Sequence, residues 1–200
     1  MIINANQVFK VFGFSNSEFN EVGWYYPSGS NLNIDKYVVY NYAEQVWTIG
    51  ELNRTAWIDK GIVDYPRATE GQYLYEHEFG YDADGSPMTN VFIESSDFDI
   101  GDGESFGFVR RIIPDIKFLS NSDAGQVNAV LKTRNYPGDT LTTASTSVIE
   151  SNTSKADVRA RARQIVFRLE SDDDADNSGN SDVGWRLGAT RLDIQTDGRR

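Results

Sequence analysis

The sequence has no cysteine, one histidine, two methionines and five prolines in 200 residues. Without cysteine there is no disulfide framework, thiolate zinc site, iron–sulfur cluster or cysteine nucleophile, so packing alone must hold the fold. His77 is the single imidazole; a histidine metal site would lack a second nitrogen ligand, and any Ser-His-Asp arrangement would have to use this one residue. Apolar residues come in runs of a few and mean hydropathy is −0.49, so nothing approaches the roughly 18–20 apolar residues of a membrane-crossing helix. The opening MIINANQVFK has neither a basic start nor an apolar stretch, which predicts no secretory leader. Basic residues are outnumbered, 19 against 30 acidic, for a net charge of −11. Such a surface repels nucleic acid on average and confines phosphate contacts to local patches. Helical periodicity is nearly absent as well, because Gly, Pro or Asn interrupts every candidate window.

What the chain does have is aromatic weight: 11 Phe, 10 Tyr and 4 Trp, concentrated in the first half. These residues fit pleated, half-buried surfaces, and the pattern predicts an all-β protein. Short runs of Val, Ile, Tyr, Phe and Trp cover 8–14, 22–26, 37–42, 46–52, 54–58 and 73–79. Turn clusters at 15–17, 27–31 and 82–87 separate some of them, and the spacing of about ten residues between strand centres predicts a meander of hairpins. From about residue 91 the aromatics thin out and the strands lengthen, which predicts a second module over 91–200 after a first over 1–90. In it, 106–118 reads as one extended segment with Pro114 at an edge or bulge, followed by 126–134, 158–169 and 185–194. The connection at 171–182 is acidic and of low complexity.

The cadence of Glu21-Val-Gly-Trp-Tyr-Tyr-Pro-Ser, Asp35-Lys-Tyr-Val-Val-Tyr-Asn-Tyr and Glu44-Gln-Val-Trp-Thr-Ile-Gly resembles a β-propeller blade. In such a blade the Trp47 indole would be buried as a wedge between strands of neighbouring blades. Extended through Arg54-Thr-Ala-Trp-Ile-Asp, Gly71-Gln-Tyr-Leu-Tyr-Glu-His-Glu-Phe-Gly, Val109-Arg-Arg-Ile-Ile-Pro-Asp, Lys132-Thr-Arg-Asn-Tyr-Pro-Gly and Val183-Gly-Trp-Arg-Leu-Gly, the chain resembles the carboxy-terminal part of short-tailed bacteriophage tail hub or nozzle proteins. These are also called packaged-DNA stabilisation or tail tubular proteins. The resemblance implies a partial propeller of about two blades followed by a β-sandwich-like module. It also implies a non-enzymatic virion component without a cofactor, made in the host cytoplasm. Its expected partners are copies of itself in a ring and other tail proteins such as portal and adaptor, with DNA only as passing cargo and no membrane. Two blades leave an apolar face and strand edges open, and association follows from that.

The main candidate site is Arg159-Ala160-Arg161-Ala162-Arg163, whose period of two places three guanidiniums on one strand face. Such a row calls for an anionic neighbour: an intrachain carboxylate such as the Asp172–Asp176 loop, a neighbouring subunit, or DNA. Asp97, Asp99 and Asp102, with Glu104, have the look of an oxygen-ligand calcium loop, against the plainer reading of a solvated hairpin. The acidic run from Asp172 lacks the Glu that such a loop needs at its twelfth place. Glu76 and Glu78 flank His77, on the opposite face of an expected strand over 73–79. Packed or hydrogen-bonded roles are the ordinary reading for all three. Exposed Trp and Tyr rims also suit sugar stacking, which keeps a carbohydrate-binding module of a receptor-binding protein as the alternative function.

Overall fold

In a computed structural model the chain is all-β, 59% strand and 3% helix, arranged in several antiparallel sheets, none closed. The structure describes residues 3–88, 91–99, 103–120, 125–171 and 183–199. The chain forms two compact units, Met1–Phe79 and Gly80–Arg200.

The first unit begins with a short 3₁₀ helix, Ala5–Lys10, so the strand expected over 8–14 starts only at Phe12. Asn4 caps it, its side-chain oxygen accepting from the Asn6 amide at 3.0 Å. Four strands then form a meander: β1 (Phe12–Asn16), β2 (Glu21–Tyr26), β3 (Lys36–Asn41) and β4 (Val46–Glu51). A second meander contains β5 (Ala56–Ile58), β6 (Arg67–Glu70) and β7 (Tyr73–Glu76). Side chains alternate across the pleat, so one face of the larger sheet carries Phe12, Phe14, Tyr25, Tyr37 and Val39. Tyr25 is its centre, with rings of Phe12, Phe14 and Tyr37 at 5.2, 4.7 and 5.8 Å and Trp57 of β5 at 6.3 Å. Phe14 faces Gly23 across the β1–β2 pair, and Tyr37 faces Gly50 across β3–β4. A Cβ on Gly23 would stand 2.5 Å from the Phe14 ring and 2.9 Å from the Val38 carbonyl; on Gly50 it would stand 2.2 Å from Tyr37. Each ring therefore lies flat over a bare stretch of the neighbouring strand, a cross-strand pairing that only glycine permits here.

The second unit opens with a two-residue hairpin of β8 (Asp82–Ala83) and β9 (Ser86–Pro87), turned by Asp84 and Gly85, both with positive φ. Next come β10 (Phe92–Glu94), β11 (Ser105–Ile113), β12 (Ile116–Ser120), β13 (Gln126–Arg134), β14 (Thr142–Glu150), β15 (Ala156–Ala162), β16 (Gln164–Ser171), β17 (Val183–Leu187) and β18 (Arg191–Arg199). One sheet has the order β10-β16-β13-β14, a second β15-β11-β18, and β12 pairs with β17. Their apolar faces share one core: Val127, Leu131, Ile149, Ile165 and Leu169 from the first sheet, Val109, Ile112, Val158 and Ala160 from the second. Ile116, Phe118, Trp185 and Leu187 pack on its flank.

Three segments expected as continuous strands are in fact broken, and each break is a change of sheet. The 106–118 segment divides at Pro114 and Asp115, where the donor that proline lacks is not called for by a ladder. The 185–194 segment divides at residues 188–190. Because β11 pairs with β18 and β12 with β17, these two breaks are one corner in a single bent ribbon. Asp115 fastens it: its carbonyl accepts from the Gly188 amide at 2.7 Å and its Oδ2 from Ala189 at 2.9 Å. A Cβ on Gly188 would meet Asp115 Oδ2 at 2.4 Å. The third segment, 158–169, breaks at Arg163, between β15 in one sheet and β16 in another.

Candidate functional site

Two surfaces carry chemistry, one in each unit. In the second unit, β15 alternates as its sequence requires, burying Ala156, Val158, Ala160 and Ala162 and turning Asp157, Arg159 and Arg161 outward. Arg161 reaches across β11 to β18, where its Nε donates to Asp197 Oδ2 at 2.5 Å and its Nη2 to the Asp197 carbonyl at 3.0 Å. The guanidinium also sits 4.2 Å above the Phe106 ring. Arg163, at the sheet corner, lies 5.5 Å from Phe106 and 5.5 Å from Tyr136 of the β13–β14 connection. Phe106 thus brings Arg161 and Arg163 together, while Arg159 is exposed and has no polar partner among the described residues. Nearby charges are matched in the same way: Arg110 with Asp193 at 2.8 Å and Arg111 with Asp157 at 3.5 Å. The carboxylate that Arg161 meets is Asp197 on β18; the Asp172–Asp176 loop lies outside the described residues. Nothing in the sequence around Asp197 signals this, because the contact depends on β18 lying on the far side of β11.

Of the aspartates read for calcium, two lie among the described residues. Asp97 is bonded to Arg134, whose guanidinium supplies the cation and holds this carboxyl below the usual carboxylate range. Asp99 is exposed with no ion-pair partner among the described residues, and Asp102 lies outside them. The described residues contain no group of three or more His, Asp or Glu placed to hold a metal. Gly103-Glu104-Ser105-Phe106-Gly107 has the Gly-x-Ser-x-Gly spelling of a nucleophile elbow. That elbow needs a strand turning sharply into a helix, whereas Ser105 here opens β11 and is followed by eight more strand residues.

In the first unit, strand β7 ends at Glu76, and Glu78 has a φ of 61°, so 73–79 does not share alternating faces as expected. Glu76 pairs with Arg67 at 2.7 Å, and Glu78 accepts from the buried Asn16 amide at 3.0 Å. His77 Nε2 accepts a hydrogen bond from Arg54 Nε at 2.9 Å, and its ring stacks 4.7 Å from Trp57.

The second surface is the open face of the β1–β4 sheet. Trp24, Val38, Tyr40, Trp47 and Ile49 share it by register. Trp47 is 62% exposed and Ile49 73%, so the indole expected to be buried between blades lies in the open. The physical reason is that this face of the sheet is uncovered, with Trp24 on the internal strand β2 also 41% exposed. Trp47 packs only sideways, on Tyr40 at 4.7 Å and Trp24 at 6.4 Å. Trp185 of the second unit is half-buried against the core and donates its Nε1–H to Ser171 Oγ at 2.9 Å. Beside Trp24 a shallow cleft of about 420 Å³ is lined by Gly13, Ser15, Gly23, Trp57 and Asp59.

No protein-family model matches the chain, and no curated protein matches it.

Proposed function

We propose that this protein is a non-enzymatic structural component of a short-tailed phage tail. In this reading it is a hub or nozzle subunit that forms a homo-oligomeric ring, meets portal or adaptor proteins and lets DNA pass. The two meanders of the first unit are then propeller-type blades, and Gly80–Arg200 is a β-sandwich-like module. The observation that carries the proposal is the open aromatic face of β2–β4: contiguous Trp24, Tyr40, Trp47 and Ile49 are what an interface core is made of. A face of this kind meeting a different surface on the next copy is a heterologous contact, which gives a ring when the rotation between copies closes and a filament when it does not.

Size-exclusion chromatography with light scattering, followed by electron microscopy of the particles, tests it. The expected result is a cyclic oligomer that dissociates in a Trp47→Ser/Ile49→Ser variant with an unchanged β-sheet spectrum. A monomer at all accessible concentrations would overturn it.

The cleft favours a second reading, a carbohydrate-binding module. Trp24 and Trp47 are 27° from coplanar, and Ser15 and Asp59 bring polar groups to the rim of the same patch. Specific binding of the isolated monomer on a glycan array, lost in Trp24→Ala, is the result that would replace the assembly reading with this one.

A further inference from the structure

Arg54 is 7% exposed, which is rare for a charged side chain, and its guanidinium is held from three sides. Its Nη1 donates to the Asn53 carbonyl at 2.7 Å and to Glu70 Oε2 of β6 at 2.9 Å. Its planar face lies 4.2 Å from the Tyr75 ring of β7. The third side is His77, and here the chemistry is one-way. Arginine has only donors, so His77 Nε2 has to be an acceptor, which only the neutral imidazole provides. The histidine is anchored as well: its backbone amide donates to the Pro66 carbonyl at 2.8 Å, and its ring packs against Trp57. Trp57 in turn joins the Phe14 and Tyr25 cluster of β1 and β2.

We propose that the Arg54–His77 contact is an acid-sensitive latch, which holds the end of the β5–β7 sheet against the aromatic cluster at neutral pH and releases it when His77 is protonated. Protonation replaces an acceptor with a second cation, on a half-buried ring, facing a buried guanidinium at hydrogen-bond distance. Among the described residues no carboxylate is hydrogen-bonded to the imidazole to absorb that charge. Glu70 is already engaged by Arg54 and Asn53, Glu76 by Arg67, and Glu78 by Asn16. From β2 and β3, Tyr25 and Tyr37 face the same cluster as neutral phenols, and burial holds both above the ordinary tyrosine value.

The direction of the pH effect follows. Burial, and then the Arg54 charge, lowers His77 from 6.5 to about 4. The unfolded chain therefore takes up the proton first as pH falls, and stability is intact above pH 6.5 and lost progressively from there to about pH 4. Burial raises Glu78 and Glu21, so these two carboxyls gain protons readily in the fold and oppose part of the loss. For that reason the test has to isolate the histidine.

Because the chain has one histidine, its imidazole proton resonances are unambiguous in the full-length protein. The expected titration midpoint is near pH 4, accompanied by loss of near-ultraviolet aromatic dichroism, and it moves up towards 6.5 in Arg54→Gln. In His77→Gln the amide oxygen can still accept from Arg54 but does not titrate in this range, so the dichroic change between pH 6.5 and 4 should disappear. A wild-type midpoint near 6.5 with undisturbed aromatic dichroism would overturn the latch. So would an unchanged acid transition in His77→Gln. If either variant does not fold, the wild-type titration still decides.

Discussion

At the scale of single residues, the first unit depends on where side chains are missing as much as on where they are large. Phe14 over Gly23 and Tyr37 over Gly50 fill space that any Cβ would occupy. Gly23→Ala is expected to cost about 1–3 kcal/mol, because one of the atoms it meets is the Val38 backbone carbonyl, which has little room to yield. Gly50→Ala meets only the far end of the Tyr37 ring and should cost about 1 kcal/mol. Urea unfolding of both variants checks the order. Trp47→Ala should behave differently, losing about 0.5–1 kcal/mol from its contacts with Tyr40 and Trp24 while the fold persists. A loss of several kcal/mol there would mean that the indole is part of a core after all. Arg161 belongs to the same class, since both partners in its pair with Asp197 are about half exposed. Arg161→Ala should cost about 0.2–1 kcal/mol, and less at high salt.

Among the elements, the strands were legible and their endings were not. Alternation in Arg159-Ala160-Arg161-Ala162 gives β15 its two faces directly, because a half-buried strand has to separate them. The hairpin at Asp84-Gly85 was legible for a similarly local reason. By contrast, the breaks at Pro114–Asp115, Arg163 and 188–190 depend on which sheet each half joins, and that pairing is set by strands distant in the sequence: β18 and β17 for the first and last, β11 and β13 for the halves on either side of Arg163. Trp47 was misplaced for a related reason: its sequence context states that it lies on a strand, but not whether anything covers that strand. The corner at Asp115 makes a testable unit. Gly188→Ala should destabilise by about 1–3 kcal/mol through its clash with the carboxylate. Asp115→Ala should lose about 1 kcal/mol for the Ala189 hydrogen bond, and the double variant less than the sum of the two. A thermal-melt cycle measures the coupling.

On the scale of the whole molecule, the arginine face offers a way to test the proposed assembly separately from folding. Replacing Arg159, Arg161 and Arg163 together with Gln should leave the far-ultraviolet β spectrum intact, since the apolar residues of β15 lie on the opposite face. Weakened ring formation in that variant would assign the stripe to a subunit contact; normal assembly with abnormal DNA retention would assign it to the conduit. The two units also differ in a way that bears on how they form in time. Every sheet of the first unit is a meander, so each strand pairs with its chain neighbour as soon as both exist. In the second, β11 lies between β15 and β18, and Ser105 is opposite Arg199. Loop closure over such distances is slow, and all-β domains built this way fold in milliseconds to seconds. During synthesis the first unit can therefore be complete while β11 still waits for a strand made almost a hundred residues later. In that interval the edge of β11 that β18 will cover is open to any other strand, the kind of exposure from which aggregation of β-rich chains starts.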